Sequence, residues 1–161
     1  MATVYLGLGS NVDAERNLHL ALDEIRRAYG EPRVSPVYRS AAIGFEGPDF
    51  LNLVVAVETE DSPEHIAERM ESVHRLAGRR REDGRFVARS LDIDILLYDD
   101  LVRDIPPRLP RHDVLDYAFV LRPLADLAPD LVHPVTGRTL AAHWENFDRD
   151  SQPLMRVEVD L

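Results

Sequence analysis

The chain has 161 residues, of which 45% are hydrophobic and 30% charged, and its formal net charge is −10. This length and composition are typical of one globular domain, and we expect residues 1–161 to form it. The acidic balance argues against a nucleic-acid partner, because phosphate backbones bind to basic surfaces. No apolar run approaches the roughly 20 residues of a membrane-spanning helix, so we expect no membrane partner.

Two residue types are missing from the sequence. There is no cysteine, which excludes disulfides, thiol catalysis and cysteine-ligated zinc, and which agrees with a reducing, cytoplasmic location. All 19 basic residues are arginines, so no lysine-dependent chemistry is possible, neither a Schiff base nor a phosphate-loop lysine. Any recognition of an anion by a side chain cation therefore depends on arginine or histidine.

Short apolar segments and helical patterns alternate in the first part of the chain. The segment Gly9-Ser10-Asn11 is expected to break the first strand. A helix is expected to follow it and to end at Gly30, and Asn11 or Asp13 would cap its start. Ser62 and Pro63 predict the start of a second helix that continues to Gly78. Strands are expected at residues 3–8, 34–40, 50–58 and 91–98.

The resulting order is β-α-β-β-α-β, the ferredoxin-like pattern. The predicted fold class is therefore α+β, with helices packed on a mainly antiparallel sheet. The chain beyond Asp99 is a less regular C-terminal extension. Within it we expect a short helix at residues 119–127, a helical turn at 140–144 and a last strand at 155–161.

The strongest chemical signal is the pair Asp92 and Asp94 in the last core strand. Alternate residues of a strand share a face, so both carboxylates point the same way, while Leu91, Ile93 and Ile95 point to the core. Two neighbouring acids repel each other unless a cation or solvent neutralises them. A magnesium ion, which prefers carboxylate and phosphate oxygens, would do so; a solvated strand face is the alternative.

Two other features add to this signal. Five arginines lie directly before the two acids, at positions 79, 80, 81, 85 and 89; their planar guanidinium groups suit phosphate oxygens, although pairing with surface acids would also explain them. Asn52 interrupts an apolar strand, and Phe50 lies on the same face, where it could stack on a flat ring. Each of these two residues could equally serve the core.

Together these segments resemble one family, 6-hydroxymethyl-7,8-dihydropterin pyrophosphokinase of the folate pathway. The likeness runs from about residue 3 to about residue 135, and its motifs occur in the right order and spacing. The matching segments are Leu8-Gly9-Ser10-Asn11, Tyr38-Arg39-Ser40 with Gly44, Phe50-Leu51-Asn52, Gly78-Arg79-Arg80-Arg81, Arg89-Ser90-Leu91-Asp92-Ile93-Asp94-Ile95-Leu96, Ala118-Phe119-Val120-Leu121-Arg122-Pro123-Leu124 and Ala128-Pro129.

The resemblance implies a role for each matching residue. Asp92 and Asp94 would hold two magnesium ions that bridge the phosphates of the co-substrate ATP, and they would be catalytic together with Arg79 and Arg89. The pterin-binding residues would be Ser40, Ala41, Ile43, Phe50, Asn52 and Phe119. The ATP-binding residues would be Arg81, Arg85, Ile95, Arg111, His112 and Tyr117. Other folate-pathway enzymes are the expected protein partners.

The sequence departs from the family pattern mainly on the ATP side. His74 stands where a glutamate is usual, Phe86 replaces a tryptophan, and Val87-Ala88 replaces Gly-Pro. The usual Pro-His-Pro-Arg segment reads Pro110-Arg111-His112-Asp113, and Tyr117 replaces an arginine.

Two explanations of these departures compete, and a different class of function is a third possibility for the chain. Arg111 and His112 could supply the lost contacts in a shifted register, which would leave an active, divergent enzyme; we favour this explanation. A paralogue that binds a pterin but handles ATP poorly, or acts on a related pterin alcohol, is the second. A ferredoxin-like RNA-binding module is the third, but it would need exposed aromatic residues and a basic face.

Overall fold

A computed structural model describes residues 1–42, 46–78 and 91–161. Within these ranges the strands are β1 (Ala2–Ser10), β2 (Arg33–Val34), β3 (Val37–Ser40), β4 (Phe50–Thr59), β5 (Asp92–Tyr98) and β6 (Met155–Val157). The helices are α1 (Ala14–Tyr29), α2 (Pro63–Leu76), α3 (Asp113–Asp116), α4 (Ala118–Leu127) and α5 (Leu140–Glu145), and a 3₁₀ turn spans Arg149–Ser151.

The strands form one antiparallel sheet in the order β5-β1-β4-β3-β6, and β2 also pairs with β4. The order β5-β1-β4-β3 places the first and third strands of the β-α-β-β-α-β unit in the centre, as in a ferredoxin-like fold. The predicted α+β class is therefore confirmed. The C-terminal extension adds β6 beside β3, at the edge of the sheet opposite β5.

The strand predicted at residues 34–40 is divided into β2 and β3 by Ser35 and Pro36. Pro36 has no N–H for the ladder, while the Ser35 hydroxyl accepts from the backbone N–H of Val54 at 2.8 Å. Both short strands still pair with β4. The last strand is also shorter than predicted, because it ends at Val157 rather than at residue 161.

Both α1 and α2 lie within the ranges predicted from the sequence, but only one of the two predicted N-terminal caps is present. Ser62 caps α2 through a hydrogen bond from the His65 backbone N–H at 3.2 Å, as predicted. The predicted capping of α1 is wrong, because Asp13 adopts a left-handed conformation and makes no capping hydrogen bond with its side chain. The Asn17 side chain instead donates to the Val12 carbonyl at 2.7 Å, which ties the first turn to the preceding loop.

Each face of the sheet is covered by its own layer of helices. On the first face α1 packs on β1 and β4, and α2 packs on β5. The residues that these helices bury there include Leu18, Leu22, Ile66 and Met70. On the second face α4 packs on β4 and β3, and α5 packs on α4. The residues that these helices bury there include Val120, Leu121, Leu124 and Leu140. Burial of this much apolar surface stabilises both layers, and the C-terminal extension thereby supplies the second layer.

The central strand β1 runs through Gly9 and ends at Ser10, so the strand break predicted at Gly9-Ser10-Asn11 comes only at Asn11, and the strand is longer than the predicted residues 3–8. Gly9 pairs with Asn52 of β4 on one side and with Asp92 of β5 on the other. Along β5 the pairing shifts between Tyr5 and Leu6, which leaves Leu96 as an extra residue of a bulge. No described helix is long and apolar enough to cross a membrane.

Candidate active site

A cavity of about 290 Å³ opens on the second face of the sheet, between the ends of β1, β4 and β5 and the segment from Arg111 to Val120. It is lined by backbone and side chains from all of these elements. The lining residues are Gly7, Leu8, Gly9, Ser40, Ala41, Phe50, Asn52, Leu53, Val54, Asp92, Asp94, Leu96, Arg111, Asp113, Tyr117, Phe119 and Val120.

Two cross-strand rows form the floor of this cavity. In one row Asp92 pairs with Gly9, and Gly9 pairs with Asn52. In the other row Asp94 pairs with Gly7, and Gly7 pairs with Val54. Because neighbouring strands lie about 4.8 Å apart, each acid is separated from the opposite residue of its row by two strand spacings, roughly 10 Å at the backbone.

Gly7 and Gly9 keep the floor of the cavity open. A Cβ atom on Gly9 would lie 2.9 Å from Asn52 Oδ1, and one on Gly7 would lie 3.3 Å from the methyl groups of Leu96. A side chain at either position would therefore fill the floor or displace a lining residue. Glycine inside a strand commonly marks such a close approach.

The acidic end of the cavity consists of the two aspartates and an arginine paired with a third acid. Arg111 Nη1 lies 3.7 Å from Asp94 Oδ1, and Arg111 Nε donates to Asp113 Oδ2 at 3.0 Å. Burial raises the pKa of the Asp94 carboxyl, and Asp92 and Asp113 raise it further by repulsion, while the Arg111 guanidinium opposes the shift. A further cation at this end would favour the ionised form of Asp94.

The chemistry of these donors fits a magnesium ion shared with a phosphorylated ligand. Residues 1–42, 46–78 and 91–161 contain no group of three or more His, Cys, Asp or Glu side chains that could hold a metal ion alone. Asp92 and Asp94 supply two carboxylates on one face. Magnesium commonly takes one or two carboxylates and completes its shell with water and substrate phosphates.

The rest of the cavity lining combines an amide with aromatic rings. Asn52 is buried, and its Nδ2 donates to Ser40 Oγ at 2.8 Å, which fixes the orientation of the amide. The Tyr117 and Phe119 rings stack with centroids 5.1 Å apart and planes inclined by 19°. Together with Phe50 they provide flat apolar surface beside a hydrogen-bonding group, which suits a heterocyclic ring.

The structure brings most of the sequence-predicted site residues to this one cavity. Those that line it are Ser40, Ala41, Phe50, Asn52, Asp92, Asp94, Arg111, Tyr117 and Phe119. Those that lie outside the described residues are Ile43, Arg79, Arg81, Arg85 and Arg89. The predicted sharing of one face by Asp92 and Asp94 agrees with this arrangement, because the two acids and Asn52 line the same cavity.

Two predicted ATP-binding residues do not line the cavity. Ile95 is buried in the core on the first face of the sheet, where alternation along β5 directs its side chain away from Asp94. The side chain of His112 is 74% exposed, and its Nδ1 lies 3.0 Å from Asp116 Oδ2. The structure therefore gives no support to a side-chain contact between either residue and a ligand in this cavity.

Sequence reasoning missed the glycine floor and Asp113. The floor has a recognisable signal, because Gly7 and Gly9 are two residues apart in a strand and must share the face opposite Leu6 and Leu8. Asp113 carries no such signal. Its contact with Arg111 is local, two residues along the chain, but it depends on the side-chain geometry at the start of α3, which the sequence pattern does not reveal.

This fold and this cavity define an α+β protein with a site that has an acidic end and, elsewhere in its lining, an amide and aromatic rings. Residues 5–129 match the family model for 7,8-dihydro-6-hydroxymethylpterin-pyrophosphokinase (HPPK). The chain belongs to this family. The match covers β1 to α4 and thus every described residue that lines the cavity.

Several similar proteins are named as pyrophosphokinases of the same pterin substrate. The 2-amino-4-hydroxy-6-hydroxymethyldihydropteridine pyrophosphokinase of Aquifex aeolicus is 35% identical over 143 residues, which are 87% of this chain and 89% of that protein. The protein of the same name from Pseudomonas aeruginosa is 40% identical over 157 residues, 91% of this chain and 95% of that protein. Nothing in the comparisons supports the alternative of a weakly active paralogue.

Solved structures support the fold. The crystal structure of wild-type Plasmodium falciparum HPPK-DHPS superimposes with a TM-score of 0.72 over 89% of this chain, at 15% sequence identity. This chain covers 44% of that longer chain, less than half of its length. At this level of identity the likeness concerns the course of the backbone and not the chemistry of individual residues.

Proposed function

We propose that this chain transfers the terminal pyrophosphate of ATP to 6-hydroxymethyl-7,8-dihydropterin, with release of AMP, in the cavity described above. One observation carries the proposal: Asp92 and Asp94 line the same cavity as Asn52 and Phe119, on a floor without side chains at Gly7 and Gly9. The reaction is inferred from membership of the family. The cavity supports it, because its lining combines groups suited to phosphates and to a flat ring.

The transfer is an in-line displacement at the β-phosphorus. The hydroxymethyl oxygen forms the new bond to this phosphorus and releases its proton to solvent, while the bond from the β-phosphorus to the oxygen shared with the α-phosphate breaks. AMP leaves with that oxygen. Because phosphoryl transfer requires little covalent chemistry from the protein, the side chains mainly align the two substrates and stabilise the developing charge.

Asp92 and Asp94 would bind magnesium at the acidic end of the cavity, with two ions expected. Magnesium at this place would neutralise the phosphates, activate the hydroxyl group and stabilise the departing α-phosphate. The chain's own contribution is to hold two carboxylates on one strand face, with Arg111 3.7 Å from Asp94 as a further cation for phosphate oxygens. We include Arg79, Arg81, Arg85 and Arg89 in the ATP site because of the family resemblance.

Asn52 and the aromatic residues would orient the pterin. Asn52 has one amide hydrogen committed to Ser40, so its remaining polar atoms can bond to the edge of the ring in one orientation only. Phe50 and Phe119 would stack on the ring faces. This arrangement would direct the hydroxymethyl arm across the glycine floor toward Asp92 and Asp94.

Other enzymes of the folate pathway are the protein partners that we propose. The similar P. falciparum chain is an HPPK-DHPS of more than twice this length, and this chain covers 44% of it. Co-purification of the tagged chain with such enzymes would test this part of the proposal separately.

The decisive experiment measures AMP release from ATP with hydroxymethyldihydropterin and magnesium. The native chain should form AMP, and Asp94→Ala should lower kcat/KM by on the order of 10²-fold or more, as for other groups that stabilise transition-state charge. Asp100→Ala is the matched control, because Asp100 is exposed in the turn after β5. Calorimetric binding of the pterin by the native chain without AMP release would contradict the proposal and favour the binding paralogue.

A further inference from the structure

His74 is a buried histidine at the end of α2 that the proposed reaction does not use. It is 4% exposed, and its Nε2 lies 2.9 Å from the backbone nitrogen of Ile93. Its Nδ1 lies 3.0 Å from Glu71 Oε1, one turn earlier on the helix. Since the Ile93 N–H donates to Nε2, that nitrogen carries the lone pair, and the network assigns the hydrogen to Nδ1, where it faces Glu71.

The hydrogen bond from the Ile93 N–H to His74 satisfies a backbone donor on the outer side of the edge strand β5. In the sheet as described, β5 is a terminal strand, with β1 as its neighbour on one side. The Ile93 N–H is directed to α2 and not to β1, and the residue is buried. A buried backbone donor requires an acceptor, and His74 provides the one that a neighbouring strand would otherwise offer.

The backbone peptide group that His74 contacts lies between the two aspartates of the acidic end. Its nitrogen belongs to Ile93 and its carbonyl to Asp92, and Asp94 follows directly. The Ile93 side chain is buried on the first face of the sheet, so both carboxylates are directed to the second face. The orientation of this one peptide plane therefore affects the direction of both acids.

We infer that His74 is a positioning residue: its Nε2 fixes the Asp92–Ile93 peptide and thereby the spacing of the two carboxylates in the cavity. The inference rests on the proposed function, because the spacing matters for catalysis only if the acids bind metal and phosphates. Imidazole suits the task because its neutral form accepts a hydrogen bond without adding another negative charge beside Asp92 and Asp94.

The test compares His74→Met with His74→Gln. Methionine fills a similar volume but offers only a weak acceptor, whereas glutamine retains an amide oxygen that can accept from Ile93. His65→Met is the matched control, because His65 lies on the same helix with a side chain that is 55% exposed. Native protein and all three variants are measured by amide hydrogen exchange at Ile93, by manganese binding without nucleotide, and by AMP formation.

For His74→Met we expect exchange at Ile93 to accelerate roughly tenfold or more, as for loss of a buried hydrogen bond. Half-saturation with manganese should need a several-fold higher concentration, and kcat should fall while KM for the pterin stays unchanged. His74→Gln should restore exchange, manganese binding and kcat toward native values, and His65→Met should change none of them.

Two results would overturn the inference. One is a His74→Met variant with faster exchange at Ile93 but native manganese binding and kcat, since His74 would then serve stability alone. The other is failure of His74→Gln to recover what His74→Met loses. A native chain that binds manganese through Asp92 and Asp94 but forms no AMP would instead refute the proposed reaction, and the exchange and manganese comparisons would still decide the role of His74.

Discussion

A Cβ atom on Gly9 would lie 2.9 Å from the Oδ1 atom of Asn52, closer than side chains normally approach. Gly9 and Asn52 are paired residues of β1 and β4, and Asn52 is held by its 2.8 Å hydrogen bond to Ser40. The amide therefore cannot move away from a substituent on Gly9 without breaking that bond. The shape of the cavity beside Asn52 therefore depends on the absence of a side chain at Gly9 in the neighbouring strand.

Gly9→Ala should weaken binding of the pterin by about tenfold or more, roughly 1.4 kcal/mol, because the added methyl group displaces the amide of Asn52. Calorimetric titration with hydroxymethyldihydropterin measures this directly. Gly7→Ala is the matched control: its Cβ meets the end of the flexible Leu96 side chain at 3.3 Å, so the effect on pterin affinity should be smaller. Equal affinities for native and Gly9→Ala would show that Asn52 does not contact the pterin.

Tyr117 should contribute to pterin binding, although the family pattern has an arginine there. Its ring stacks on Phe119 with centroids 5.1 Å apart, and both rings line the cavity. Loss of the Tyr117 ring would leave Phe119 without this support and would remove apolar surface from the cavity wall. Tyr117→Ala should therefore raise the Kd for the pterin about two- to tenfold, and Tyr117→Phe should keep it near the native value. If Tyr117→Ala weakened only the binding of ATP, Tyr117 would be assigned to ATP binding instead of pterin binding.

The sequence predicts the acidic pair and the order of the core strands because both depend on short-range patterns. Alternation within one strand is enough to place Asp92 and Asp94 on the same face. Helix periodicity and the Ser62 cap likewise depend on neighbours a few residues apart. Such features are visible in one chain without knowledge of the tertiary fold.

Features that depend on distant elements were not predictable in this way. The division of the second strand at Pro36 arises because Ser35 bonds to Val54, 19 residues away. The placement of His112 outside the cavity depends on α3, which is four residues long and lacks a periodic signal. Alternation did place Ile95 in the core, and its expected contact with ATP came from the resemblance alone.

Arg111 should have opposite effects on metal and nucleotide. Its guanidinium lies 3.7 Å from Asp94, where it partly neutralises the acid and repels a metal ion. Arg111→Gln should therefore strengthen manganese binding without nucleotide by roughly three- to tenfold, the range for a solvent-screened charge pair. The KM for ATP should rise, because the phosphates lose a cation.

The matched control for Arg111 is Arg39→Gln, since Arg39 is exposed on β3 and does not line the cavity. Manganese binding is followed by electron paramagnetic resonance of the free ion, and KM by AMP formation. Weaker manganese binding in Arg111→Gln would contradict the expectation. It would mean that Arg111 holds Asp94 in place more than it competes with the metal.

His133 should make stability depend on pH independently of the active site. It is 3% exposed, and its Nδ1 accepts from the backbone N–H groups of Val135 at 3.2 Å and Thr136 at 3.3 Å. Burial lowers the pKa of His133 below its ordinary 6.5, and the nearby His143 lowers it further. The unfolded chain therefore takes up the proton first as pH falls.

The contribution of His133 is consequently present above about pH 6.5 and is lost as pH falls from there toward the lowered pKa of the folded state. Between pH 7.5 and 5.5 the native chain should therefore lose stability through this group, seen as a fall in Tm. His133→Gln should be less stable at pH 7.5 but should show a flatter dependence on pH, measured by thermal unfolding.

His19→Gln is the control, because the His19 side chain is 53% exposed, and it should keep the native pH profile. A native-like slope in His133→Gln would assign the pH dependence to other groups, since the buried acceptor that makes protonation costly would then have no measurable role.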